Sequence, residues 1–129
     1  MILLDTHVWA WSLHAPHRLS AAAWQALEDN EARLISAVSL YEVAQKVTLG
    51  KWPEMASYVD RATELIAEQG AQVVPVSADI ALAAGRVDWS HRDPFDRLIA
   101  ATALEMRLML VSADPAFDTH PANRLRRLW

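Results

Sequence analysis

Ile-Leu-Leu-Asp-Thr-His-Val-Trp, at residues 2–9, indicates the fold class more clearly than any other segment of the chain. The apolar run at 2–4 has the length of a short buried strand, and it stops at the charged Asp5. A helix over 6–13 can follow directly, so the chain passes from strand to helix at an acidic residue. Because ligands of open parallel sheets bind where strands lead into helices, Asp5 is the first candidate for a functional site.

The same alternation of strand and helix runs through the rest of the chain. Further strands are predicted at 33–36, 72–76 and 108–111, and helices are predicted from Ser20, Ser39, Pro53, Ser77 and Asp93. Pro75 places the 72–76 strand at a strand end or at a sheet edge. Strands that alternate with helices indicate parallel pairing with both sheet faces covered, and therefore an α/β class.

Composition sets limits on the class of protein. A chain of 129 residues without repeats or long linkers predicts a single domain over 1–129. The absence of cysteine excludes disulfides, thiolate metal sites and a cysteine nucleophile, and a net charge of -4 predicts no general attraction to nucleic acid. Neither a signal peptide nor a run of roughly 20 apolar residues is apparent, so we expect a soluble, cytoplasmic protein without membrane contact.

Four acidic residues occupy similar places in this pattern: Asp5, Glu42, Asp96 and Asp114. Two of them closely follow predicted strands, and the other two fall in the first turns of predicted helices, so all four are expected at one rim of the sheet. Carboxylates that converge repel one another and raise one another's pKa values, and a divalent cation removes that conflict. Oxygen ligands favour Mg²⁺ or Mn²⁺, which predicts metal-assisted attack of water on a phosphodiester.

Each acid also has a structural interpretation that stays open at this stage. Ser39 and Glu42 have the spacing of a capping box, and Glu42 could also pair with Lys46 one turn later. Asp93 is a natural N-cap, Asp5 could cap the first helix, and Asp114 precedes a proline as in an ordinary turn. The functional hypothesis therefore depends on the combination of four acids at one rim.

Four segments carry a family resemblance: 3–9 (LLDTHVW), 39–44 (SLYEVA) leading to 49–51 (LGK), 91–100 (HRDPFDRLIA) and 111–114 (VSAD). In this order and spacing they resemble the PIN-domain nucleases, most closely the VapC-type ribonuclease toxins of prokaryotic toxin–antitoxin pairs. The resemblance implies a three-layer α/β/α fold with a central, mainly parallel sheet. It also implies Mg²⁺- or Mn²⁺-dependent RNA cleavage, frequent homodimerisation and inhibition by a small antitoxin protein.

The resemblance assigns site residues as well. Asp5, Glu42 and Asp96 match the principal metal-site acids of the family, and Asp114 matches the fourth. Asp93 matches an acid of the VapC-type subgroup and is expected to support the site or only to cap its helix. Ser112 stands where the family commonly has threonine, and it keeps the hydroxyl.

Other polar side chains near these segments are candidates for assisting roles. The hydroxyls of Thr6 and Ser112 could bond carboxylates or a metal-bound water, although backbone capping is equally open. Lys46, Arg92 and Arg97 could contact RNA phosphates or only balance nearby acids. Histidines 7, 91 and 120 share no ligand-like spacing, so surface or loop positions are predicted for them.

Of the tryptophans, Trp24 is predicted in the core, whereas Trp52 and Trp129 are candidates for contact with a partner.

Two other function classes remain. One is a non-catalytic PIN-like module that binds RNA or protein. The other is a phosphatase with Asp5 as nucleophile, although its second Asp is expected where His7 stands. The sequence leaves open which RNA and which bond is cut, the number of metal ions, the antitoxin's identity and the oligomeric state.

Overall fold

Five parallel strands form the central sheet of the structure, a computed structural model that describes residues 1–29 and 32–129. The strands are β1 (Ile2–Leu4), β2 (Arg33–Ser36), β3 (Ala71–Val74), β4 (Met109–Val111) and β5 (Arg126–Leu128). The α-helices are α1 (Thr6–His14), α2 (Ala21–Asp29), α3 (Ala37–Thr48), α4 (Ala56–Val59), α5 (Ala62–Glu68), α6 (Ala78–Arg86) and α7 (Pro94–Met106). Across the described part of the chain, no helix combines the length and the apolar character needed to cross a membrane.

The strand order β3-β2-β1-β4-β5 places a topological switch beside β1. β1 pairs with β2 on one side and with β4 on the other, so the chain moves outward to β3 and then returns across β1. At such a switch the connections leave the strand ends in different directions and open a crevice. The residues that follow β1 and β4 therefore border the crevice in which this class of sheet binds ligands.

The predicted three-layer α/β/α arrangement is confirmed, because both faces of the sheet are packed against helices. Ile2 and Leu4 of β1 belong to a core shared with Trp9 of α1 and with residues of α2, α3 and α5. Leu3, which points to the opposite face, packs in a second core with Ile99 of α7. α6 packs on the outside of α7. Pro75 predicted that the strand before it lies at a sheet edge or ends there, and this is confirmed, because β3 is an edge strand.

Several details of the sequence prediction are wrong. α3 begins at Ala37 because Ser36, not Ser39, is its N-cap. The single helix predicted from Pro53 is a 3₁₀ turn, Pro53–Met55, followed by two short helices, α4 and α5. The strand β5 was not predicted. The predictions for two tryptophans are also wrong: Trp24, predicted in the core, is 45% exposed, and Trp52, predicted to contact a partner, is only 8% exposed.

Candidate active site

Asp5 lies at the junction of β1 and α1, and the fold holds its carboxylate at both oxygens. Oδ1 accepts the backbone N–H of Thr6 at 2.7 Å, and Oδ2 accepts the hydroxyl of Ser112 at 2.6 Å. The residue is 5% exposed. Asp5 therefore caps α1, as its structural interpretation required, and it also presents a fixed, buried carboxylate at the switch crevice.

Ser112 connects Asp5 to Asp114 across the ends of β1 and β4. Its hydroxyl donates to Asp5 and accepts the backbone N–H of Asp114 at 3.0 Å. Asp114 in turn accepts the N–H of Ala116 at 2.8 Å and so caps the 3₁₀ turn Pro115–Thr119. A small hydroxyl residue at 112 thus fixes the relative positions of two of the predicted acids.

Asp96, in the first turn of α7, pairs with a histidine for which the sequence had favoured a surface or loop role. The Nε2 atom of His91 lies 2.6 Å from Oδ2 of Asp96. Potential ligand atoms of His91, Asp96 and Asp114 all lie within 4.8 Å of one another. His91 stands only five residues before Asp96 in an irregular loop, and loop conformation cannot be read from sequence periodicity.

Glu42 approaches the site from the second turn of α3, where it is 4% exposed. The predicted capping box with Ser39 is wrong, because Ser39 lies inside the helix and accepts the hydroxyl of Thr6 at 2.9 Å. The carboxylate of Glu42 instead pairs with Lys46 one turn later, at 2.7 Å between Oε2 and Nζ. Because Glu42 does not cap α3, its buried carboxylate can act on the neighbouring Asp5.

The electrostatics indicate that the acids act on one another. Burial raises the pKa of Asp5 above its ordinary value, the hydrogen bond from Ser112 opposes this shift, and the charge of Glu42 adds to it. Burial also raises the pKa of Asp96 to about 6, with the hydrogen bond to His91 opposing the shift and the charge of Asp5 adding to it. Negative charge at this rim is therefore incompletely balanced by the surrounding protein.

This donor set fits a divalent cation. Carboxylate oxygens predominate, as Mg²⁺ and Mn²⁺ prefer, and a cation would favour the charged forms of Asp5 and Asp96, whose pKa values are raised mainly by burial and further by neighbouring carboxylates. Asp96 and Asp114 have potential ligand atoms within 4.8 Å of each other, and Asp5 and Glu42 stay predicted ligands, supported by the electrostatic effects described above. His91 could join them as a ligand or could orient Asp96 through its hydrogen bond.

Asp93 and the three predicted RNA-contacting cations have different positions. Asp93 caps α7 by accepting the N–H groups of Phe95 and Asp96. Lys46 lies at the site beside Glu42, and Arg92 is exposed. The prediction for Arg97 is corrected, because its guanidinium donates to four backbone carbonyls and is not free for phosphate.

Three comparisons place the chain among known proteins. A family model described as PIN domain matches residues 2–122. Ribonuclease VapC22 of Mycobacterium tuberculosis is 33% identical over 134 residues, which cover 99% of this chain and 98% of that protein.

Two solved structures share the fold. The crystal structure of VapBC2 from Rickettsia felis, bound to a DNA fragment from its promoter, has a TM-score of 0.70 at 19% identity and covers 99% of this chain and 98% of that one. A toxin–antitoxin complex from Klebsiella pneumoniae has a TM-score of 0.67 at 20% identity, covering 98% and 99% of the two chains. The family model and the identity to the curated relative show that this chain belongs to the PIN-domain family, in its VapC-type group.

Proposed function

We propose that this protein is a metal-dependent endoribonuclease that hydrolyses RNA phosphodiester bonds and serves as the toxin of a toxin–antitoxin pair. One observation carries the proposal: the buried carboxylate of Asp5 lies in the switch crevice, where the charge of Glu42 raises its pKa and its own charge raises the pKa of Asp96. The family and the printed name of the ribonuclease relative support RNA as the substrate. We propose one domain over 1–129, acting in the cytoplasm where RNA and an antitoxin are made.

In this proposal the side chains hold the reacting groups in place. A bound Mg²⁺ or Mn²⁺ would lower the pKa of the attacking water and stabilise charge on the phosphate and the leaving oxygen. The ion would be held by Asp5, Asp96 and Glu42, with Asp114 contributing directly or through water. Hydrogen bonds from Thr6 and Ser112 fix the carboxylate of Asp5, and the hydrogen bond with His91 fixes that of Asp96. Lys46 balances the charge of Glu42 and so limits repulsion of an incoming phosphate.

The test is RNA cleavage by purified protein with Mn²⁺ or Mg²⁺, with and without chelator. Asp5→Asn and Asp96→Asn keep the shape of the side chain but remove its charge, and each should lower the rate by about 100-fold or more. Asp60→Asn, which alters an exposed acid between α4 and α5, is the matched control and should leave the rate unchanged. Activity that survives chelator and both active-site substitutions would refute the proposal.

Calorimetry with Mn²⁺ separates this function from the non-catalytic module of the PIN type. The nuclease should bind Mn²⁺ and lose that binding in Asp5→Asn, whereas a module whose acids serve only as caps should bind RNA or protein without the metal. The phosphatase hypothesis gains no support, because His7 occupies the position expected for the second acid.

We further propose a small antitoxin protein and a second copy of this chain as partners. The support for an antitoxin is that the fold matches a toxin–antitoxin complex over nearly the whole chain. Co-expression with the neighbouring reading frame should yield a complex with reduced cleavage activity, and light scattering of the purified protein should report a homodimer. A monomer in solution would contradict the proposed dimer and leave the proposed chemistry unaffected.

A further inference from the structure

A basic cleft adjoins the acidic site on the side of Glu42. Its lining residues are His7, Trp11, Arg18, Lys46, Lys51 and Trp52. The cleft has a volume of about 240 Å³, below the about 300–1,000 Å³ of pockets that enclose a drug-sized ligand. Its size therefore suits contact with one unit of an extended chain better than enclosure of a small molecule.

Flat rings form one wall of the basic cleft. The ring of His7 stacks on Trp52 with centroids 4.8 Å apart and an interplanar angle of 30°, and Trp11 lies 5.7 Å from His7. Trp52 is buried and supports the stack, whereas His7 and Trp11 are half-buried and border the cleft. Rings in this arrangement provide surfaces on which unpaired bases can stack.

Cations complete the cleft, and none of its lining residues is acidic. Arg18 is exposed and lies over the ring of Trp11 at 4.9 Å, so its guanidinium can pair with a phosphate while it stays in contact with the ring. Lys51 is also exposed, and within residues 1–29 and 32–129 neither side chain forms an ion pair. In a chain of net charge -4, this local positive charge favours a polyanionic ligand.

The basic cleft is continuous with the acidic site. Lys46 contacts both, since its ammonium lies 2.7 Å from Glu42 and 5.5 Å from the centroid of the Trp52 ring. His7 follows Asp5 by two residues, in the first turn of α1. A chain bound in the cleft would therefore lead directly to the carboxylates.

We infer that the basic cleft binds an unpaired nucleotide of the RNA substrate, next to the phosphodiester that is cut. This inference rests on the proposed ribonuclease function and assigns residues outside the acidic site, His7, Trp11, Arg18 and Lys51, to binding of that substrate. His7 and Trp11 would stack with the base, while Arg18 and Lys51 would contact the flanking phosphates. Bases inside a duplex are already stacked and present no free face to such rings.

The test measures RNA affinity in an Asp96→Asn background, so that the RNA stays intact. The probe is a labelled single-stranded RNA of about eight nucleotides, within the usual range of single-strand binding sites. Arg18→Gln and Lys51→Gln should each weaken binding about fivefold and reduce the slope of log K against log salt concentration by about 0.7. Trp11→Leu should weaken binding about tenfold with an unchanged slope.

Matched controls remove the same chemical groups elsewhere. Arg126→Gln removes an exposed arginine at the start of β5, at the opposite rim of the sheet, and Trp24→Leu removes an exposed indole of α2. Both should bind the RNA like the background protein. Trp11→Leu should also bind a duplex of the same sequence as well as the background does, because stacking requires an unpaired base.

The outcomes separate this inference from the proposed function. If the unmodified protein cuts RNA with Mn²⁺ but Arg18→Gln and Lys51→Gln bind and cut RNA like Arg126→Gln, the inference is overturned and the ribonuclease function stands. These two variants alter exposed side chains and should fold even if Trp11→Leu does not. Failure of the unmodified protein to cut any RNA would instead refute the proposed function.

Discussion

At the residue scale, the raised pKa of Asp96 couples the acidic site to the stability of the fold. In the unfolded chain its pKa is near the ordinary 3.8, and burial raises it to about 6 in the folded protein. The folded state therefore binds this proton more tightly. The stabilisation is complete below pH 4 and is lost as the pH rises through about 6.

We therefore predict that the metal-free protein loses stability between pH 4 and pH 6 and that Asp96→Asn removes part of this loss. The neutral amide should raise the free energy of unfolding at pH 7 by about 1 kcal/mol, once screening by solvent is allowed for. Urea unfolding at several pH values with chelator measures the effect, with Asp60→Asn as control. A pH profile that is the same in both variants would show that Asp96 titrates normally.

Arg97 is a second residue whose role the contacts define. Its side chain donates to the backbone carbonyls of Ala84, Val87, Trp89 and His91. Lysine cannot form these bonds together, so Arg97→Lys should lower the free energy of unfolding by about 2–4 kcal/mol. It should also lower cleavage by displacing His91, with little change in RNA affinity.

Arg92→Lys is the control, because Arg92 is exposed and precedes the helix. Thermal unfolding and RNA binding of the two variants should be compared side by side. If Arg97→Lys kept its stability and lost RNA affinity, the original prediction of a phosphate contact would be restored.

At the scale of elements, the start of α7 contains both a capping residue and a predicted metal ligand: its N-cap is Asp93, and its first turn contains Asp96. We predict that the cap is what Asp93 contributes. Asp93→Ser keeps a side-chain oxygen for the cap and should keep stability and cleavage within about twofold, whereas Asp93→Ala should cost about 1 kcal/mol of stability. A large loss of cleavage in a fully stable Asp93→Ser variant would assign a role to the charge of Asp93.

The elements also show how far the sequence could be interpreted. The β1–α1 and α7–β4 units were predictable, because their apolar runs and helical periods are strong and proline or acidic caps mark the boundaries. The start of α3 was misplaced by one turn, since Ser36 and Ser39 are equally good caps in sequence and only tertiary contact distinguishes them. β5 has three residues, two of them arginines, and its pairing with β4 follows from the fold alone.

The same reasoning applies to the site. The acids were found because strand ends and helix starts converge at one rim of a parallel sheet. The pairing of His91 with Asp96 was not predictable, because the loop that contains His91 has no periodic pattern and is held by hydrogen bonds from Arg97 to the backbone carbonyls of Trp89 and His91. The burial of Trp52 and the exposure of Trp24 were mispredicted for a similar reason, because burial depends on neighbours far away in sequence.

At the scale of the whole molecule, metal binding should act on the entire folding equilibrium. A ligand that binds only the folded state at about 100 times its Kd adds about 2.7 kcal/mol, or roughly 8–15 °C in Tm for a chain of this size. Because the metal must displace the proton that Asp96 holds up to about pH 6, the stabilisation by Mn²⁺ should grow as the pH rises through that value. Thermal unfolding with and without Mn²⁺ at pH 5 and pH 7.5 measures this, and Asp96→Asn should lose most of the shift while Asp60→Asn keeps it. An equal shift in both variants would mean that the ion binds elsewhere on the protein.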